Sequence, residues 1–354
     1  MSDGAGPYLE DFRLGAVLTH PVPRTVSEGD AALYLALTGS RWPLFCCRPF
    51  AHTLGLAACP IDDLLLFHLV FGRTVPEVSV NAIANLGYAE GRWRAFVYPG
   101  ETVWARSEVI GLRETSNRKA GIVWVRTSAH KDDGVPVLDY VRWVMVPKRD
   151  PSRPIAETRV PALASSVSAR DLGPPSDLGP VAIDPEITGS TRAFEDYAVG
   201  ERIDHVDGMT VMESEHRLAT RLYQNPARVH FDAHRQRKGP HGRCIVYGGV
   251  VLSLARALSQ RGLENALCLL AINGGTHAHP CFAGDTVYAY SEVLEKAELA
   301  ERPDVGALRL RLVALKDREA AGFPLRDAEG RYLPEVLLDF DYWLLMPRRC
   351  ALGG

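Results

Sequence analysis

Residues 193–215, AFEDYAVGERIDHVDGMTVMESE, repeat residues 8–30, YLEDFRLGAVLTHPVPRTVSEGD, without a gap at an offset of 185. Asp11 falls on Asp196, Gly15 on Gly200, His20 on His205, Thr25 on Thr210 and Glu28 on Glu213. Working outward, PGETVWARSEV meets AGDTVYAYSEV at an offset of 184, from Gly100/Gly284 to Val109/Val293. Gly121 meets Gly306 at 185 again. After an insertion in the second copy, VLDYVRWVMVPKR (137–149) meets LLDFDYWLLMPRR (337–349) at an offset of 200. Self-similarity over such spans means one domain written twice.

Each copy opens with a short strand or turn and a helix-start signal, Thr25-Val-Ser-Glu-Gly-Asp and Thr210-Val-Met-Glu-Ser-Glu. A long apolar helix follows, over Leu64–Phe71 in copy one and Gly249–Leu258 in copy two. Three alternating strands are then expected. In copy two they span Thr286–Leu294, Ala307–Leu315 and Val336–Met346, where Leu308, Leu310 and Leu312 alternate with Arg309, Arg311 and Val313. A central helix wrapped by antiparallel strands is an α+β, helix-in-sheet layout. Residues 148–192, rich in Pro, Ser and Gly, read as a linker between a first domain at 1–147 and a second at 193–354.

The 354 residues suffice for two domains of ordinary size. A net charge of −3 gives no electrostatic case for a nucleic acid or membrane partner. The start, MSDGAGPYLEDF, lacks the features of an export signal, and no run approaches the roughly 18 apolar residues of a membrane span. The cysteines, at 46, 47, 59, 244, 268, 281 and 350, are odd in number and show no CxxC spacing. That pattern suits small buried side chains in a reducing cytoplasm. His230/His234 and His277/His279 have spacing a metal could use, but no nearby Cys or carboxylate pattern completes a site, so no metal is expected.

The chemistry concentrates in residues 221–258, RLYQNPARVHFDAHRQRKGPHGRCIVYGGVVLSLARAL. A His-Phe-Asp step (His230 to Asp232) offers a general base. The Val246-Tyr247-Gly248-Gly249 segment then opens a buried helix, whose N-terminal backbone N–H groups suit a developing oxyanion. Copy one has none of this. His230 falls on Phe45, Asn225 on Ser40 and Asp232 on Cys47, and its helix opens Ile61-Asp-Asp-Leu. One active site per chain is expected, built on copy two, with copy one supplying ligand-binding surface.

The N-x4-H-x-D run ahead of I-V-Y-G-G, on a duplicated helix-and-sheet frame, resembles the MaoC-like (hydratase 2) branch of the hotdog fold, as a double hotdog. More narrowly, DGMTVMESEHRLATRLYQNPARVHFD, CIVYGG, FAGDTVYAYSEVLEKAE, IDDLLLFHLVFGRTVPEVSVNAIANLGYAE and DYVRWVMVPKRD are similar to the mesaconyl-CoA hydratase family, over nearly the whole chain outside the linker. The resemblance implies reversible syn hydration of mesaconyl-CoA (2-methylfumaryl-CoA) to (2R,3S)-β-methylmalyl-CoA, a step of the ethylmalonyl-CoA pathway. It implies no cofactor, since the conjugated thioester is itself activated. A homodimer or higher homo-oligomer is the usual expectation for a soluble protein.

Such a hydration needs a base for water, a donor to the α-carbon and a holder of negative charge on the thioester oxygen. His230 is the acid/base candidate, and the N–H of Gly248 or Gly249 the oxyanion donor. The family motif carries an Asp five residues before the His; here that position is Asn225, and alignment on Asn-Pro puts Tyr223 there instead. A carboxamide orients water but takes no proton. Either His230 transfers the protons while Asn225 orients the water, or Asp232 or Glu215 supplies the carboxylate. The distal carboxylate of mesaconyl-CoA calls for a cation, and Arg228, then Arg221 and Arg41, are the candidates, with Tyr223 and Tyr247 at the substrate. The loop Arg235–Arg243 is basic enough to meet CoA phosphates. Two rivals remain: a hotdog acyl-CoA thioesterase, and a non-catalytic acyl-CoA-binding protein.

Overall fold

Strands recur at the offsets at which the sequence repeats. The computed structural model describes residues 6–353. Copy one contributes β1 (Val17–Thr19), β2 (Arg24–Thr25), β3 (Ala84–Trp93), β4 (Thr102–Glu114), β5 (Ala120–Lys131) and β6 (Pro136–Pro147). Copy two contributes β7 (Arg202–Thr210), β8 (Leu269–His277), β9 (Thr286–Glu298), β10 (Val305–Lys316) and β11 (Val336–Pro347). All belong to one eleven-stranded sheet, in the order β1-β4-β5-β6-β3-β8-β11-β10-β9-β7, with β2 beside β4. The second half of that order mirrors the first. The seam is the antiparallel β3–β8 pair, with Tyr88 opposite Gly275 and Arg92 opposite Ala271.

Each central helix is followed by four strands, not the three that alternation predicts. The extra one, β3 or β8, starts the sheet right after the helix. β8 is buried on both faces along Leu269–Asn273, so no period-2 pattern marks it. The first central helix also runs further than its apolar stretch, from Asp63 to Val78, through Pro76. Its second half stays buried at Gly72, Thr74, Val75 and Val78. Gly72 is required there: a Cβ would stand 1.9 Å from the carbonyl oxygen of Tyr223, on the other copy. The second central helix, Gly248–Leu258, packs on β9 and β10.

The two central helices meet where His68 Nε2 lies 2.9 Å from Ser253 Oγ, the residue at its own repeat position. Residues 148–192 are tied to both copies. Arg159 exchanges backbone hydrogen bonds with Leu112, and the Val167 N–H donates to Asn273 Oδ1 at 2.8 Å. The Trp343 indole N–H donates to the Val167 carbonyl, and Ile183 bridges to Leu352. Among the described residues no helix is long and apolar enough to cross a membrane.

Candidate active site

A cavity of about 300 Å³ lies where the two copies meet. From copy one it takes Phe71, Val75 and Ser79 at the end of the central helix, Asn85 and Tyr88 on β3, and Arg142 on β6. From copy two it takes Asn225, His230, Tyr247, Gly248 and His277.

His230 ends a single 3-10 turn, Arg228–His230. The turn is set by Asn225, whose Oδ1 accepts from the Ala227 N–H at 3.0 Å. The His230 ring stands against Tyr247, and its Nδ1 lies 3.0 Å from the Ile245 carbonyl. A carbonyl only accepts, so Nδ1 carries the proton and Nε2 keeps its lone pair. Burial pushes the His230 pKa down to about 4, against the Ile245 hydrogen bond that works the other way. The ring is therefore neutral at pH 7, with a base-competent nitrogen. His277, at the end of β8, is likewise lowered to about 4 by burial and then by the nearby His230. The Tyr88 hydroxyl lies 3.2 Å from its Nε2.

The helix at Gly248 starts without a side-chain cap. N–H groups in a first turn have no acceptor within the helix, and the dipole adds to their pull on an anion. Copy one has closed the equivalent terminus with a carboxylate of its own. There Asp62 Oδ1 accepts from the Leu64 N–H at 2.9 Å, while the Asp63 carboxylate turns to the start of β8, its Oδ2 accepting from the Leu269 N–H at 2.7 Å. Both glycines of copy two are needed sterically. A Cβ on Gly248 would lie 2.5 Å from His277 Cε1, and one on Gly249 would lie 2.3 Å from Tyr247 Cε1 and 2.6 Å from His68 Cε1. Gly248→Ala is thus expected to displace His277 and lower kcat/KM by about 10- to 100-fold, the scale of one lost oxyanion donor or less. The check is a steady-state assay beside a melting curve; activity within about twofold of the parent would sink the assignment.

The other sequence candidates lie elsewhere. Asp232 caps the short helix Ala233–Gln236, its Oδ1 accepting from the Arg235 N–H at 3.1 Å. Glu215 is exposed and accepts from the Met212 N–H at the start of the helix Glu213–Leu222. Neither carboxylate reaches the cavity wall, which leaves Asn225 and His230 there together. Arg228 shares the turn of His230 but does not line the cavity, and Arg221 and Arg41 are exposed. Tyr223 is buried between His68 and Tyr34, while Tyr247 lines the cavity directly. Gly249 sits behind Gly248, against His68. In the basic loop, Arg243 stacks on Phe282, 3.9 Å from its ring centroid.

Sequence reasoning did not single out Tyr88, Asn85 or Arg142, and it weighed His277 only as half of a metal-spaced pair. For Arg142 a signal existed. Along β6 the residues Leu138, Tyr140, Arg142, Val144 and Val146 share the buried register, so a charge stands in a core-facing row.

Tandem helix-wrapped units, with a neutral imidazole and an uncapped helix N-terminus on one cavity, define a MaoC-like double-hotdog protein. The comparisons narrow this. The family model described as Mesaconyl-CoA hydratase matches residues 2–173. The β-methylmalyl-CoA dehydratase of Chloroflexus aurantiacus is 56% identical over 344 residues, covering 97% of this chain and 98% of the relative. The mesaconyl-CoA hydratase of Cereibacter sphaeroides is 57% identical over 348 residues, covering 98% and 100%. A solved MaoC-domain dehydratase from Chloroflexus aurantiacus superposes with a TM-score of 0.95 at 55% identity, over 98% of this chain and 99% of that one. A Mycobacterium tuberculosis protein with a double hotdog fold gives 0.71 at 25% identity, over 97% and 99%. The chain belongs to the mesaconyl-CoA hydratase family.

Proposed function

We propose that this protein reversibly adds water across the C2–C3 double bond of mesaconyl-CoA to give (2R,3S)-β-methylmalyl-CoA. The observation that carries the reading is the His230 imidazole, held by Ile245 with Nε2 basic, on the same cavity as the Gly248 helix terminus. The names of the two curated relatives supply the substrate.

Nε2 takes a proton from water as the oxygen bonds to C3. The π pair moves to the thioester oxygen, which meets the N–H of Gly248. The negative charge developing there stabilises the imidazolium forming at His230. Return of the proton from Nε2 to C2 restores the thioester. One imidazole on one face of the alkene accounts for syn addition, and Asn225 orients the water. The conjugated thioester is already activated, so no organic cofactor is needed. The setting we propose is the cytoplasm and the ethylmalonyl-CoA pathway, in keeping with seven unpaired cysteines. A homodimer or larger homo-oligomer fits the exposed Val17 and Val206 on the end strands β1 and β7.

The test follows loss of enoyl-thioester absorbance with mesaconyl-CoA, with a thiol reagent in a parallel cuvette. Absorbance loss without thiol is the expected result. Thiol release would make the protein a thioesterase, and thermal stabilisation by CoA esters without turnover would make it a binder.

A further inference from the structure

Among the described residues, one cation on the cavity wall has no acid beside it. Arg142 is fully buried. Its Nη1 donates to Ser79 Oγ at 3.1 Å and its Nη2 to Thr74 Oγ1 at 2.7 Å, both neutral. The guanidinium carbon lies 4.2 Å from the Phe71 ring centroid, and Nε has no acceptor. The titratable groups around it are the hydroxyls of Tyr140, Tyr88 and Tyr247, which burial keeps neutral, with no carboxylate among the described residues. Asn85 lines the same cavity from the neighbouring strand, and both its side-chain polar atoms are buried without a partner. Buried charges are ordinarily paired and buried amides hydrogen-bonded, because desolvation of either without a partner is costly.

The fold does not demand this polarity. At the repeat positions in copy two, set by the register with β6 and β11, Arg142 becomes Tyr342 and Asn85 becomes Leu269, both buried in the core. Copy one has lost the catalytic groups yet holds a cation and an amide where they face the site of copy two.

We propose that Arg142, assisted by Asn85, binds the C4 carboxylate of the substrate and selects a carboxylated enoyl-CoA over an alkyl one. The proposal rests on the hydratase reading for the reaction, but its ligand chemistry, an anion at the Arg142 end of the cavity, stands on the geometry. That carboxylate is attached to C3, the carbon that receives water. Anchoring it fixes C3 against His230, and the guanidinium offsets its repulsion of the incoming oxygen. Copy two performs the chemistry; copy one reads the substrate.

The test compares mesaconyl-CoA with (E)-2-methylbut-2-enoyl-CoA, in which a methyl group replaces the carboxylate, on the parent, Arg142→Met and Arg142→Lys proteins. The parent is expected to favour mesaconyl-CoA in kcat/KM by about 100-fold or more, the scale of a buried charge-assisted hydrogen bond. In Arg142→Met that preference should collapse to within about tenfold, mainly through a higher KM for mesaconyl-CoA, with Arg142→Lys between the two. An arginine that is only structural would lower Tm and leave the preference at the parent value, and that result overturns the proposal. Calorimetric binding of both thioesters to His230→Ala, which keeps Arg142, needs no Arg142 variant to fold; affinities within about threefold of each other also overturn it. If the parent hydrates neither thioester, the reaction is misassigned. Binding that prefers the carboxylate and loses the preference in Arg142→Met would still establish the subsite.

Discussion

His230→Ala is expected to lower kcat on mesaconyl-CoA by about 1000-fold or more, the upper range for a lost general acid–base. The protein should stay folded. The ring gives up one hydrogen bond to the Ile245 carbonyl and a contact with Tyr247, and the carbonyl then faces a cavity that water can enter. Substrate affinity should change little, because the groups proposed for thioester and carboxylate are Gly248, Asn85 and Arg142, all on the cavity wall. A pH profile separates this base from an ordinary histidine. Its pKa is lowered to about 4, so the basic form is present above that value, and kcat/KM should be flat from pH 6 to 8. A solvated imidazole would put a step near its usual value of about 6.5. A variant with more than about a tenth of parental kcat would remove His230 from the mechanism, and a step near 6.5 would overturn its lowered pKa.

How much of this was legible in the sequence follows from where the information lies. The duplication was readable because it is a property of the string: His20 and His205 align there, and each hydrogen-bonds a serine at its own repeat position, Ser107 at 2.8 Å and Ser291 at 2.9 Å. The fold frame followed from it. The strand that joins the copies did not, since β8 is buried on both faces and a run such as LLAINGG carries no alternation. The site divides along the same line. His230, Asn225, Tyr247 and Gly248 lie within 24 residues of one another, so a local motif announces them. Tyr88, Asn85 and Arg142 reach the cavity only through β6–β3–β8 pairing, with Tyr88 opposite both Arg142 and Gly275. No local pattern records that adjacency. Arg228 is nominated for the substrate carboxylate by its closeness in sequence to His230, and that closeness does not put it on the cavity wall.

Acidification to pH 5 is expected to destabilise the protein by about 2 kcal/mol for each of two histidines that the chemistry does not use. His68 and His205 are almost wholly buried, and burial pushes their pKa values down to about 3 and about 4. In the unfolded chain both return to about 6.5. Below that value the unfolded state binds protons the folded state refuses, so stability is full above about pH 6.5 and falls as pH drops toward 4, by about 1.4 kcal/mol per unit for each ring. His20, His216, His230 and His277 are lowered by burial as well and act in the same direction. Asp62 and Asp63 oppose it, since burial raises their pKa values and the folded state takes up their protons first. Two such losses are a large part of the roughly 5–15 kcal/mol that holds a domain folded. Urea unfolding at pH 7.5, 6.5, 5.5 and 5.0 reads this directly, as a midpoint that holds between the first two and then falls at near-constant m. His205→Asn should flatten the fall while lowering stability at pH 7.5 through the lost bond to Ser291. A parental midpoint unchanged between pH 6.5 and 5.0, with a His205→Asn midpoint that follows the same course, would mean that these rings take up protons inside the fold. In that case the neutral state assigned to His230 on the same physical ground would fall with them.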